Sequence, residues 1–204
     1  MSSWFKYANN IQDKGIGKDK LSLIPMLDYN ENNELPEKIF ELIREEFNKY
    51  DAKRIVIIDP YFTHNEFDYI VEAFAGYSGR EIEIFTLMKS DNNEEIGDEQ
   101  NEIKNKTRTL QKEIMLLNLQ NNSYKLILRK IFNNITIYKV DVGLHDRYVL
   151  CPDNENLFFS LGGSFNTKFK KYSNIIRIKD FSFKMQVLKL YEILKKNSEV
   201  INEY

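Results

Sequence analysis

The apolar and polar positions of this chain fall into short strands separated by amphipathic helices. Arg54-Ile55-Val56-Ile57-Ile58-Asp59-Pro60 contains an unbroken β-branched run, the pattern of a strand buried on both faces of an α/β sheet. Glu81 to Leu87 alternates charged and apolar residues and predicts a second strand. Ile135 to Val140, Arg147 to Cys151, Leu157 to Leu161 and Ile175 to Ile178 predict four more, and Leu21 to Pro25 suggests a short one near the start. Behind Pro36, which suits the first turn of a helix, Ile39, Phe40, Ile43, Phe47 and Tyr50 step at helical spacing. Phe67, Ile70, Val71 and Phe74 share one helical face, with Asn65 and Asp68 as its cap and Gly76 at its end. Ile103, Thr107, Leu110, Ile114 and Leu117 form the seam of a long helix that would pack on the sheet or on a partner chain. Phe183, Val187, Leu190, Tyr191 and Leu194 give the apolar face of a final helix. Ser90 to Gln100 is acidic and polar and reads as an exposed loop.

Strands alternating with helices predict a layered α/β fold, organised as a helical or irregular extension over residues 1–50 and one domain over 51–204. The chain has 204 residues, 42% hydrophobic and 29% charged, enough for a core and ordinary for a soluble protein. No apolar run approaches the ~20 residues of a membrane span. Met1 to Lys6 lacks the apolar core of a secretory signal, so a cytoplasmic location is expected. The single cysteine, Cys151, permits no intrachain disulfide and reads as a small buried hydrophobe; no metal and no cofactor are expected. Charge is divided between the halves. Residues 121–204 hold 14 Lys and Arg against 8 Asp and Glu, a net of +6, and residues 1–120 hold 15 against 23, a net of −8. A solvated basic face accounts for this on charge alone, yet the basic half is also the half that carries the candidate chemistry. The acidic half is a candidate surface for a protein partner.

That chemistry lies in Leu144-His145-Asp146-Arg147-Tyr148 and in Gly162-Gly163-Ser164-Phe165-Asn166. His145 and Arg147 stand two apart, which on a strand places them on one face. Imidazole can attack phosphorus or shuttle a proton, and a guanidinium clamps phosphate oxygens with a fork of donors. Ser164 and Asn166 add neutral donors behind a Gly-Gly turn, and Lys168 follows closely. Taken singly these pieces read as a surface pair and a turn; their joint order on successive strands is what points to phosphodiester chemistry.

His145-x-Arg147 followed by Gly163-Ser164-x-Asn166 resembles the phospholipase D superfamily pattern of His-x-Lys, Asp and Gly-Ser-x-Asn, and most nearly that of its small single-motif bacterial endonucleases. The resemblance is specific between Leu144 and Asn166 and extends by order of elements from about Arg54 to Ile178. It implies a central mixed sheet flanked by helices and an active site on a homodimer two-fold. It also implies metal-independent cleavage of a nucleic-acid phosphodiester through a phosphohistidine on His145, with Arg147, Ser164 and Asn166 around the phosphate. The chain departs from the pattern at three places. Arg147 replaces the lysine; Pro152 occupies the aspartate's position, with Asp153 one residue late; and Ser173 or Asn174 stands where the endonucleases carry an acidic residue. A non-catalytic module that binds nucleic acid or nucleotide, or serves within a larger complex, is the alternative these departures suggest.

Other residues are candidates for the same pocket. Asp59 and Tyr61 end the first strand, and the carboxyl ends of strands in α/β sheets face ligand crevices. Gly163 and Lys168 would contact substrate beside them. His64, the other histidine, reads as a solvent-exposed residue beside a helix cap, and Trp4, Phe5 and Tyr7 as residues that dock the N-terminus on the core.

Overall fold

The β-branched run Arg54–Ile58 is the strand around which the sheet is built. A computed structural model describes residues 21–23, 43–63, 66, 70, 79–87, 107, 110, 112–118, 120–141, 144–162 and 175–203. In chain order the elements are β1 (Leu21–Leu23), helix α1 (43–49), β2 (Arg54–Ile58), β3 (Arg80–Leu87), helix α2 (112–118), α3 (Asn122–Ile131), β4 (Phe132–Val140), β5 (Tyr148–Leu150), β6 (Phe158–Leu161), β7 (Ile175–Ile178), α4 (Phe181–Asn197) and β8 (Glu199–Glu203). Glu66 and Ile70 are also helical.

The strands form one sheet in the order β1-β7-β6-β5-β2-β3-β4-β8. β2, β3 and β4 run parallel, and the other pairings are antiparallel, so the sheet is mixed. Its two faces carry separate cores. Ile55, Ile57, Ile82, Ile84, Val149, Phe159 and Leu161 point to the face covered by α1, α2 and α3, where they meet Ile43, Phe47, Met115 and Leu128. Val56, Ile58, Phe85, Tyr138, Tyr148 and Leu150 point to the other, beneath Val187, Tyr191 and Leu194 of α4. Both faces of β2 are therefore buried, as its uniform apolar run predicts.

Three differences from the sequence reading have physical causes. First, Leu110 and Leu117 of the long helix's seam do not pack on the sheet, which leaves the partner chain of the two surfaces open to them. Leu110 and Leu117 are 56% and 65% exposed, Thr107 is exposed, and Met115 and Lys112 are the residues turned inward. Lys112 is drawn in because its ammonium donates to the Pro60 carbonyl at 3.0 Å. Second, α3 fills the stretch before β4, and β4 begins at Phe132 rather than Ile135. Third, β8 adds a strand at the edge: Glu-Val-Ile-Asn-Glu is too polar to signal one, but an edge strand needs only one ladder, here with β4. Asn65 and Asp68, Phe67, Val71, Phe74 and Gly76 of the second predicted helix lie outside the described residues, as do Ile39, Phe40 and the loop from Ser90 to Gln100.

α4 is well specified. Asp180 caps it, its carboxylate accepting the Phe183 N–H at 2.9 Å. In the middle of the sheet Glu83, itself buried, accepts from the Tyr191 hydroxyl at 3.0 Å and from the Lys195 ammonium at 2.8 Å. Among the described residues no helix is long and apolar enough to cross a membrane.

Candidate functional site

Register brings the candidate residues together. β2 ends, β5 begins, β6 ends and β7 begins at the same end of the sheet. Ile58 pairs with Tyr148, and the next step of that antiparallel register sets Asp59 across from Arg147. On its other side Arg147 accepts at its carbonyl the N–H of Leu161, at 2.9 Å. The segment carrying His145 and Arg147 is thereby fixed between the end of β2 and the point where β6 runs into Gly162.

Each side chain there has a defined neighbourhood. Asp59 is fully buried, and its Oδ1 accepts the Tyr61 N–H at 3.0 Å. Arg147 is partly buried; its Nε lies 3.9 Å from Asp59 Oδ1, and its guanidinium carbon lies 5.0 Å from the centre of the Tyr61 ring. Arginine over an aromatic face is held by the ring quadrupole as well as by stacking. His145 and Asp146 are exposed, while Leu144 is buried in the α4-side core and anchors the segment. The Tyr148 hydroxyl donates to Asp146 Oδ2 at 3.4 Å, and burial together with that carboxylate's charge pushes the phenol up to about 12.

Under the 59–62 turn lies a second polar layer. Lys112 Nζ donates to the Pro60 carbonyl, and the Thr86 hydroxyl lies 3.2 Å from the same carbonyl and 3.3 Å from that of Phe62. Glu66 is buried, with Oε2 accepting both the N–H and the hydroxyl of Thr63, while Oε1 is buried with no hydrogen-bond partner among the described residues. Burial pushes this carboxyl up to about 7; the Thr63 hydrogen bonds oppose the shift, and the nearby Asp59 charge adds to it.

No family model and no curated protein matches the chain. Several solved structures are similar to it, these three among them. NucT from Helicobacter pylori is 12% identical, with 89% of this chain and 97% of that one covered and a TM-score of 0.47. Phosphatidylserine synthase from Haemophilus influenzae Rd KW20 is 15% identical over 89% of this chain and 39% of that one, at 0.44. TrmBL2, an archaeal chromatin protein described as showing a novel mode of DNA binding, is 11% identical over 98% of this chain, at 0.42; the matched part spans 62% of its length.

Of the candidates read from sequence, His145, Arg147, Asp59 and Tyr61 share this end of the sheet. Gly163, Ser164, Asn166 and Lys168 lie outside the described residues, as do His64, Ser173, Asn174, Trp4, Phe5 and Tyr7. Asp153 sits beyond the opposite end of β5, exposed, with its carboxylate 3.5 Å from Arg54 Nη1 at the start of β2. From there it cannot orient His145. Cys151 is buried, and burial pushes its thiol upward, away from the reactive thiolate. Among the described residues no group of three or more His, Cys, Asp or Glu is placed to hold a metal ion. The residues missed in sequence are Lys112, Thr86 and Glu66. For Glu66 a signal exists: Thr63-x-x-Glu66 has capping-box spacing, and the Glu66 carboxylate does reach back to the Thr63 N–H.

Proposed function

We propose that the protein is a metal-independent phosphodiesterase, a nuclease acting on DNA or RNA, with an active site assembled on the two-fold axis of a homodimer. The observation that carries this reading is the 2.9 Å hydrogen bond from Leu161 to the Arg147 carbonyl. It ties the strand that follows His145 to the strand that leads into Gly162-Gly163-Ser164-Phe165-Asn166, so that both halves of the pattern start from one place. An exposed His145 two residues before a partly buried Arg147 suits nucleophilic attack on a clamped phosphate.

In this mechanism the imidazole of one subunit attacks phosphorus. An N–P bond forms, the P–O bond to the leaving nucleotide breaks, and the partner's His145 gives that oxygen a proton. Water then attacks the phosphohistidine, the partner's His145 takes a proton from it, and the N–P bond breaks. Imidazole suits both proton steps because its ordinary pKa is near neutrality. Arg147, with Ser164 and Asn166, holds the non-bridging oxygens and offsets the developing charge, and Gly163 and Lys168 line the same substrate path. The net charge of +6 over residues 121–204 suits a polyanion.

The test is hydrolysis of single- and double-stranded DNA, RNA and bis(p-nitrophenyl) phosphate in EDTA, wild type beside His145→Ala. Cleavage that survives chelation and falls roughly a thousandfold or more in the variant is the expected result, since nucleophile and acid are removed together. Position of Asp153 favours a second reading. With that carboxylate at the far end of β5 on Arg54, the same fold would serve as a module that binds nucleic acid or nucleotide without turnover, alone or as a subunit of a larger complex. Binding without cleavage by a folded dimer would establish it.

A further inference from the structure

We infer that Asp59 and Tyr61 are positioning residues that seat the Arg147 guanidinium, turning one edge of it into a fixed point of the sheet and leaving the other for the phosphate. This rests on the proposed phosphodiesterase reading for its function, but not for its geometry. Asp59 lies fully buried, so its carboxylate is not placed to bind a substrate phosphate, which it would in any case repel. The next step of the β2–β5 register sets it across from Arg147, with Oδ1 3.9 Å from the buried Arg147 Nε, an ion-pair approach rather than a hydrogen bond. Tyr61 completes the seat with its ring 5.0 Å from the guanidinium carbon.

The seat is tied into the sheet by hydrogen bonds. The Asp59 N–H donates to the Phe85 carbonyl at 3.0 Å, extending the β2–β3 ladder, and the Asp59 carbonyl accepts from the Phe62 N–H at 3.1 Å. Oδ1 accepts the Tyr61 N–H, so the acid also fixes the residue whose ring supports the arginine. Lys112 holds the Pro60 carbonyl from below. Among the described residues the ion pair of Arg147 runs through Nε. The terminal nitrogens are the part of the fork that remains for a ligand.

Geometry of this kind explains why arginine stands where the resembling pattern has lysine. An ammonium is a point charge with one nitrogen and cannot sit over Tyr61, approach Asp59 with one edge and keep a second edge for phosphate; a planar guanidinium can do all three. Ordering the long side chain before substrate arrives removes an ordering cost from binding and from the transition state.

The test pairs a spectroscopic readout with kinetics, using the full-length protein. The Arg147 Nε–Hε NMR signal, assigned by its disappearance in Arg147→Lys, is expected to be resolved and slow to exchange in the wild type. In Asp59→Asn, which keeps an acceptor for the Tyr61 N–H, it should merge with the freely exchanging arginines. In Tyr61→Leu, which leaves every buried charge in place, it should exchange measurably faster. With bis(p-nitrophenyl) phosphate, both variants should raise KM and lower kcat/KM by about tenfold, and Arg147→Lys should do no better than Arg147→Ala. An unchanged Nε–Hε signal in folded Asp59→Asn and Tyr61→Leu would overturn the seat, as would full kcat/KM in Arg147→Lys. A wild-type signal that depends on Asp59 in a protein that cleaves nothing would support the seat while removing the phosphodiesterase reading.

Discussion

Burial moves the Glu66 carboxyl far from its ordinary state. Its burial raises the carboxyl from 4.5 to about 7, so the folded protein binds a proton there more tightly than the unfolded chain does. The stability this contributes is fully present below pH 4.5 and is lost as pH rises through about 7. Full ionisation should cost roughly 3 kcal/mol, taking 1.36 kcal/mol per pKa unit. Urea denaturation from pH 5 to 8 should show wild-type stability declining relative to Glu66→Gln, whose neutral amide keeps an acceptor for Thr63; parallel curves would mean that Glu66 is not the group that titrates. At this scale the sequence was partly legible. Asp59 and Tyr61 stood out because they end a strand, and His145-x-Arg147 because two phosphate-handling groups two apart would share a face on a strand; the structure places His145 and Arg147 just before β5. Lys112 did not, because a lysine inside an amphipathic helix signals solvent until a buried carbonyl is known to need it.

Among the elements, α2 was read with the right periodicity and its seam was left to pack on the sheet or on a partner chain; Leu110 and Leu117 do not meet the sheet. Periodicity shows that apolar residues recur but does not rank two overlapping stripes, and here the stripe with Lys112 and Met115 meets the sheet. Met115→Ala should therefore destabilise the fold by about 2–5 kcal/mol, through the cavity left in the core. Leu117→Ala should stay within about 0.5 kcal/mol, as an exposed substitution does. Denaturant midpoints for the two check the orientation directly. α4 was legible because Val187, Tyr191 and Leu194 lie on one stripe, but its polar tie to β3 was not, since Glu83, Tyr191 and Lys195 are remote in sequence. Burial works to lower the Lys195 pKa, and the Glu83 carboxylate and Tyr191 hydroxyl outweigh it and raise it. Lys195→Met should cost roughly 1–2 kcal/mol, held to that range because the lysine is half exposed, and should cost more than Glu83→Gln because it leaves a buried carboxylate without its cation. The double variant should recover part of the loss in a double-mutant cycle.

For the whole molecule, a layered α/β fold was readable from alternating strands and helices and a mixed sheet was what the resemblance implied, but strand order was not legible. Periodicity carries no information on neighbours, and the placement of β5 between β2 and β6 is what creates the candidate site. The proposed dimer is a property at this scale too. Light scattering at high concentration should give twice the mass of the 24.3 kDa chain, and a monomer that still cleaves would contradict a site shared between subunits. Affinity for a nucleic acid should fall steeply with salt, in proportion to the phosphates contacted.

The central claim is that the His145 imidazole attacks phosphorus. The most direct measurement is rapid acid-free quenching of the protein during turnover of bis(p-nitrophenyl) phosphate, followed by proteolysis and mass spectrometry. A p-nitrophenyl phosphoryl group on His145, stable to base, released by acid and missing in His145→Ala, is the expected result. Turnover with the adduct on another side chain, or with no adduct under conditions that trap a phosphohistidine standard, would contradict it.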